Sequence, residues 1–368
     1  MRPGMQCLLD VLRGQSFGRA IDGAEWASVL ALAEEEHVLP WAAAHLRSRQ
    51  NAIPPACSNR VDQIERDAAI AAFYWSSELK GVLCAFRESD IRAVPLKGPF
   101  LAQRLYGNVA SRTSRDLDLL VFIADIARAE AVLRAIGFVP GSPDDYHRPW
   151  YRQTTTVELH HDVENPLAFN FHVESALQRM RPAIFHGECC WQLAPEDELL
   201  FLCLHAARHR FERVSLLLDL KLAFKELPKE TTKWEPRPEV ARLDSLLTLG
   251  RAMVRRLESN SAFDRHRPGT TVENRHLEEL ADRLWQRLLT KSSEPLDWRI
   301  LHAFYLEFEL PGWPRLRRRC RHLRILAGRV IEPDYAFAAR LGLHRTWQAH
   351  LLRPFRLISD LFHRQPLS

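Results

Sequence analysis

Apolar residues in the first 90 positions recur every three or four residues, the period of one face of a helix. Trp26, Val29, Leu30, Ala33 and His37 set such a stripe within 26–49, with Glu34, Glu35 and Glu36 mostly off it. Pro54-Pro55 interrupt the pattern, and Ile64, Ala68, Ala71, Trp75, Leu79, Val82 and Phe86 then carry it through 60–89. The texture changes at Ile91. Residues 91–97 form a short, partly apolar run that stops at Gly98-Pro99. This predicts a strand handing over to a helix, because proline suits the first helical position. That helix runs to about Tyr106, where Gly107-Asn108 turn the chain. Residues 116–122 predict a second strand and 124–136 a helix stopped by Gly137. A polar loop at 141–149 leads to a β-branched, alternating run over 154–160, the third strand. Beyond Pro166 the pattern is mainly helical, most clearly over 196–211 and 214–226, with polar breaks at 228–238 and 265–271.

This order predicts an α+β fold. A small mixed β-sheet core over 91–165 carries flanking helices, with a helical N-terminal region (1–90), a helical extension (166–240) and a helical C-terminal region (241–368). Composition agrees: of 368 residues, 46% are hydrophobic and 26% charged, which excludes a disordered chain, a collagen-like fibre and a small disulfide scaffold. The net charge of +5 suits an anionic ligand such as a nucleotide and is too small to argue for nucleic acid. The seven cysteines are odd in number, lack a CxxC pair and include adjacent Cys189-Cys190, so reduced thiols are expected rather than a zinc site or disulfides. Asp10 interrupts the short apolar run near the start, and no stretch nears the roughly 18 apolar residues of a membrane span. A cytoplasmic protein is expected.

The chemistry concentrates on the strands. Asp116 and Asp118 stand two apart, so on a strand both carboxylates project to one side while Leu117, Leu119 and Val121 face a core. Two acids held so close repel unless a cation lies between them, and oxygen-only ligation suits Mg²⁺. On the third strand Thr154, Thr156, Glu158 and His160 share a face. If that strand neighbours the second, Glu158 becomes a third acid, and three acids can hold two metals. Gly98 at a helix N-terminus lets backbone N–H groups approach phosphate, and Lys97 adds a point charge there. Arg112 precedes the acid pair and is a candidate phosphate contact or a structural arginine. His205 and His209 share a helix face without HExxH, which leaves a nucleotide contact or a packing role. The basic segment 315–324, from Arg315 to Arg324, could dock an anionic lipid surface or RNA, or pack an apolar stripe on the body.

In combination, Leu96-Lys97-Gly98, Leu105-Tyr106-Gly107, Arg112, the run Asp116-Leu117-Asp118-Leu119-Leu120-Val121 and Val157-Glu158-Leu159-His160 resemble an uncharacterised bacterial nucleotidyltransferase family within the polymerase-β-like superfamily. The helix Leu204-His205-Ala206-Ala207-Arg208-His209, with Asp219 downstream, is similar to the same family, as more weakly is 351–357. The resemblance implies that Asp116 and Asp118 coordinate Mg²⁺. It implies that Glu158 completes the site and serves as general base on an acceptor hydroxyl, and that Gly98 bears the triphosphate. The implied reaction moves a nucleoside monophosphate from an NTP, most naturally ATP, to a hydroxyl of an unidentified small-molecule or protein acceptor, releasing pyrophosphate. Two other readings stay open: a glycosyltransferase using D-x-D to hold a metal and a nucleotide-sugar, and a non-catalytic nucleotide-binding scaffold, since Pro99 puts no hydroxyl after the glycine.

Overall fold

The structure is a computed structural model that describes residues 1–15, 21–47, 55–143, 146–163, 171–226, 243–259 and 272–291. Expectations on 228–238, 265–271, Arg315 to Arg324, Cys320 and 351–357 fall outside the described residues. The described residues all lie within one compact unit, Met1–Phe308.

Four helices come first: α1 Met5–Arg13, α2 Gly23–Glu35, α3 Leu39–Arg47 and the long α4 Pro55–Glu88. Strand β1 is Ala93–Pro95. Helix α5, Gly98–Leu101, continues into a π-helical turn, Ala102–Tyr106. Then come β2 Leu117–Val121, α6 Ile126–Ala135, β3 Val139–Pro140, β4 His147–Arg152 and β5 Thr155–His160. The second half holds α7 Val173–Gln178, the hairpin β6 Arg181–Phe185 and β7 Glu188–Gln192, and the helices α8 Pro195–Arg208, α9 Val214–Glu226, α10 Leu243–Glu258 and α11 Val272–Thr290.

The main sheet has five strands in the order β1-β2-β5-β4-β3. It is mixed: β2 and β5 run parallel, and the other pairings are antiparallel. One face of β2 (Leu117, Leu119, Val121) packs with Val157 and Leu159 of β5 against Leu79, Val82, Leu83 and Phe86 of α4. The alternating residue Leu120 enters a second apolar cluster shared with the N-terminal helices and α8–α11. Strand alternation therefore turns Asp118, and with it Glu158 and His160, toward that helical side.

Two differences from the sequence reading have clear causes. The last three residues of the expected loop at 141–149 are strand, because residues from His147 onward pair with the edge of β5, His147 opposite His160 and Trp150 opposite Val157. Isolated pattern cannot foresee that, since β4 owes its conformation to long-range hydrogen bonds. The β6–β7 hairpin interrupts a stretch expected to be helical, and His186 and Gly187 both adopt positive φ at its turn, as the tightest hairpin turns require. The six described cysteines are free thiols. Among the described residues no helix is long and apolar enough to cross a membrane.

Candidate active site

The phosphate turn is built by a conformational demand. Gly98 has φ +65°, a region that side-chain-bearing residues avoid, and Lys97 before it is extended. A Cβ at Gly98 would stand 3.5 Å from the Asp116 carbonyl oxygen and 3.9 Å from Ser114 Oγ, so the turn lies directly under the loop that delivers the acids. Pro99 occupies the start of the helix, as expected.

That helix is clamped to α8 and α9. Arg104 Nε donates to Glu198 Oε1 at 3.1 Å, and Tyr106 Oη donates to Asp219 Oδ1 at 2.5 Å. Arg112 closes the frame by gripping Asp219 with both arms, Nε to Oδ1 at 3.0 Å and Nη2 to Oδ2 at 3.0 Å. Asp219 is 2% exposed. Breaking such a buried pair from one side costs about 3–5 kcal/mol. The structure thus commits Arg112 to holding the loop before the acids on α9.

Of the three acids, Asp118 and Glu158 meet as the alternation required. Strand register sets Asp118 directly beside Glu158 on β5, in parallel. Their side chains, with His160, form a group whose ligand atoms all lie within 4.8 Å of one another. His160 Nε2 is 3.3 Å from Asp118 Oδ1 and 3.4 Å from Glu158 Oε2. Asp116 is not in that group; it sits one residue before β2, half-buried on the loop. His160 shared the expected face of Glu158, but a lone histidine on a strand gives no signal of a role until the neighbouring strand is known.

Lys97 does not stand free for phosphate here. Its Nζ lies 3.0 Å from Asp118 Oδ1, with the lysine side chain 11% and the aspartate side chain 1% exposed. Lys97 and His160 hold the Asp118 carboxyl well below the usual range despite its burial. Asp116 responds the other way: burial first, then the charge of Asp118, push its carboxyl up. Glu158 is drawn down, chiefly by its contact with His160. Burial acts against His160, but its two carboxylate neighbours outweigh it and raise the imidazole.

Helix α8 faces this group. Burial, followed by the charge of Lys97, pushes His205 well below its ordinary value, so the ring is neutral. His209 is pushed down to about 4 by burial, Arg208 and Lys97. The two rings meet edge to face at 4.7 Å. Arg208 also hydrogen-bonds the Tyr146 hydroxyl, and His147 stacks on His160 at 5.0 Å. Tyr146 and His147 were not singled out by the sequence, because 141–149 reads as loop; Arg208 lies in the helix that resembles the family but carried no role of its own.

The donor set fits a divalent cation. Asp118 Oδ2 is buried without a hydrogen-bond partner, an expense that a bound cation would remove. His160 Nδ1 lies 3.2 Å from the Asp162 carbonyl, which can only accept, so Nδ1 is the donor and Nε2 is the atom aimed at the acids.

Comparison with known proteins returns two solved structures of the aminoglycoside-resistance factor ANT(2'')-Ia. A solution structure is 15% identical, covering 50% of this chain and 94% of that one with a TM-score of 0.36. A crystal structure with adenylyl-2''-tobramycin is 14% identical, covering 48% and 97% with a TM-score of 0.35. At these scores neither bears on what this chain binds. No curated protein matches the sequence. The family described as uncharacterised nucleotidyltransferase matches residues 22–257, a span that runs from the start of α2 to the end of α10 and takes in the acids, the Gly98 turn and the α8 histidines; the chain belongs to that family.

Proposed function

We propose that the protein transfers a nucleoside monophosphate from ATP, with Mg²⁺, to a hydroxyl of an acceptor molecule, and that it does so in the cytoplasm. The observation that carries this reading is the register of Asp118 against Glu158, with Lys97 and His160 converging on Asp118 and its second oxygen left unsatisfied. Asp116, Asp118 and Glu158 would hold the metal, Asp116 joining by a side-chain rotation, with His160 braced against the Asp118 and Glu158 carboxylates. When bound, Mg²⁺ neutralises charge that develops on the transferring phosphoryl group.

The chain's own groups supply the rest. Backbone N–H groups at the Gly98 turn bind the triphosphate, and the sharp turn brings them close. Lys97, released from Asp118 once that carboxylate is otherwise neutralised, moves to a phosphate oxygen. Neutral His205 and His209 donate hydrogen bonds to the polyphosphate without adding charge, and Arg208 adds one. Arg112 acts at one remove, fixing the loop that carries Asp116. The acceptor oxygen forms a bond to the α-phosphorus as the bond to the bridging oxygen breaks, and pyrophosphate leaves with that electron pair. The hydroxyl proton goes to a carboxylate. Asp116 suits this better than Glu158, since its environment raises its basicity while His160 lowers that of Glu158.

The test is transfer of label from α-labelled ATP to a panel of small molecules, peptides and RNAs. Label enters an acceptor only with Mg²⁺, pyrophosphate is released, and Asp118→Asn lowers the rate about 1,000-fold. An Asp118→Asn protein that labels as well as wild type removes the metal assignment; nucleotide binding without transfer to any acceptor or water favours the scaffold reading.

A further inference from the structure

A second concavity lies outside the acid group. It has a volume of about 270 Å³ and is walled by α4 on one side and by the ends of α2 and α3 with loop residues 110–115 on the other. From Arg60 to Trp75 it follows α4 for about 22 Å, at about 1.5 Å of rise per residue. Its floor is small and apolar, with Ala68, Ala71 and Ala72 in line and Trp75 at one end. None of the α4 residues serves the nucleotide chemistry described above.

Charge is concentrated where the groove meets the loop. Arg115 and His37 line it there, and Arg213 reaches His37, Nη1 to Nδ1 at 3.4 Å. His37 is pushed down to about 4, by burial first and then by Arg213, Arg115, Lys291 and Arg112. A site of this kind is electropositive and keeps its imidazole neutral. The loop that forms this wall is also the one that reaches Asp116 in the next residue, and Ser114 both lines the groove and overhangs Gly98. A molecule seated in the groove is therefore next to the place where the α-phosphorus would be attacked.

We propose that this groove is the acceptor site, and that the acceptor is a small molecule with an aromatic or otherwise flat apolar body and a carboxylate or phosphate. The body lies on the alanine floor beside Trp75, and the anion is held by Arg115 and Arg213. Glu34 and Asp67 on the rim favour a ligand that carries its negative charge at the loop end alone. The proposal rests on the nucleotidyl-transfer reading for the identity of the ligand as acceptor.

Binding of 2-naphthoate and 2-naphthyl phosphate to the full-length protein, followed by ligand fluorescence, tests it. Wild type binds at least one of them below about 1 mM. Arg115→Glu weakens binding about tenfold or more, the loss of a charge-assisted contact. Ala71→Trp fills the floor and abolishes binding, while Lys80→Glu, on the exposed side of α4 away from the groove, leaves it unchanged. A saturating non-hydrolysable ATP analogue with Mg²⁺ does not displace the probe. Displacement by the analogue, absence of probe binding, or indifference to both groove variants overturns the proposal. Binding of the analogue itself is measured in the same samples; its failure would count against the nucleotide reading and leave the groove result standing.

Discussion

Replacing Lys97 with Met removes the ammonium 3.0 Å from Asp118 Oδ1 while keeping most of the side-chain volume. Asp118 is then a carboxylate, 1% exposed, with His160 as its remaining counter-charge. Removing one partner of a buried pair costs about 3–5 kcal/mol, and the surviving contact at 3.3 Å puts this case near the low end, about 3 kcal/mol. With an unfolding entropy of about 2.1 cal/mol/K per residue over 368 residues, each kcal/mol is worth about 1.3 °C, so Lys97→Met lowers Tm by about 4 °C in metal-free buffer. A cation in the site replaces what the ammonium supplied. Mn²⁺ at about 100 times the variant's Kd adds about 2.7 kcal/mol to the variant and, at about tenfold weaker affinity, about 1.4 kcal/mol to wild type, so a little under half of the gap closes. The variant also binds Mn²⁺ without nucleotide about tenfold more tightly than wild type, because no lysine has to be displaced from Asp118. Thermal unfolding with and without Mn²⁺, together with free Mn²⁺ measured by its paramagnetic resonance, reads both effects. If Lys97→Met is as stable as wild type without metal and binds Mn²⁺ no more tightly, the lysine is not standing in for a cation and the reasoning fails.

Three further outcomes are expected. Asp219→Asn strips the counter-charge from buried Arg112 and weakens the Tyr106 bond, costing about 3 kcal/mol; a urea midpoint equal to wild type would show that the loop before the acids is not held this way. Asp116→Asn slows transfer most at high pH, where the wild-type carboxylate is free to take the proton, and removes the acid limb of the pH–rate profile, because the raised carboxyl is the proton acceptor; an acid limb retained in Asp116→Asn but lost in Glu158→Gln reverses the assignment. His37, held near 4 in the folded chain against an ordinary value near 6.5, binds its proton in the unfolded state first. Stability therefore falls as pH drops through that window, and His37→Asn, which tolerates the positive φ of 59° there, makes the decline shallower; an unchanged pH dependence of denaturant unfolding contradicts this.

The sequence by itself went far on anything governed by local periodicity. The alternation of β2 placed Leu117, Leu119 and Val121 in the core, where they are found, and that of β5 put Glu158 and His160 on one face. Gly98-Pro99 marked a strand-to-helix turn for reasons of backbone freedom, and the turn is there. The motif order alone points to the family to which the chain belongs.

What period and motif could not reach was anything that depends on which segment lies beside which. Whether Glu158 would meet Asp118 was conditional until the parallel register of β2 and β5 was known. Lys97 reads as a phosphate ligand in one dimension and lies on Asp118 in three; Arg112 reads as either a phosphate contact or a structural arginine, and its pairing with Asp219, more than a hundred residues away, decides for the second. Strand β4 exists because β5 offers it an edge, so no local signal announces it or the residues it carries. The groove along α4 belongs to no motif, since its walls come from three helices and a loop. Charge pairing, desolvation and strand pairing are contact effects, with ranges of a few ångströms in space and none in sequence, which is why only the tertiary structure decides them.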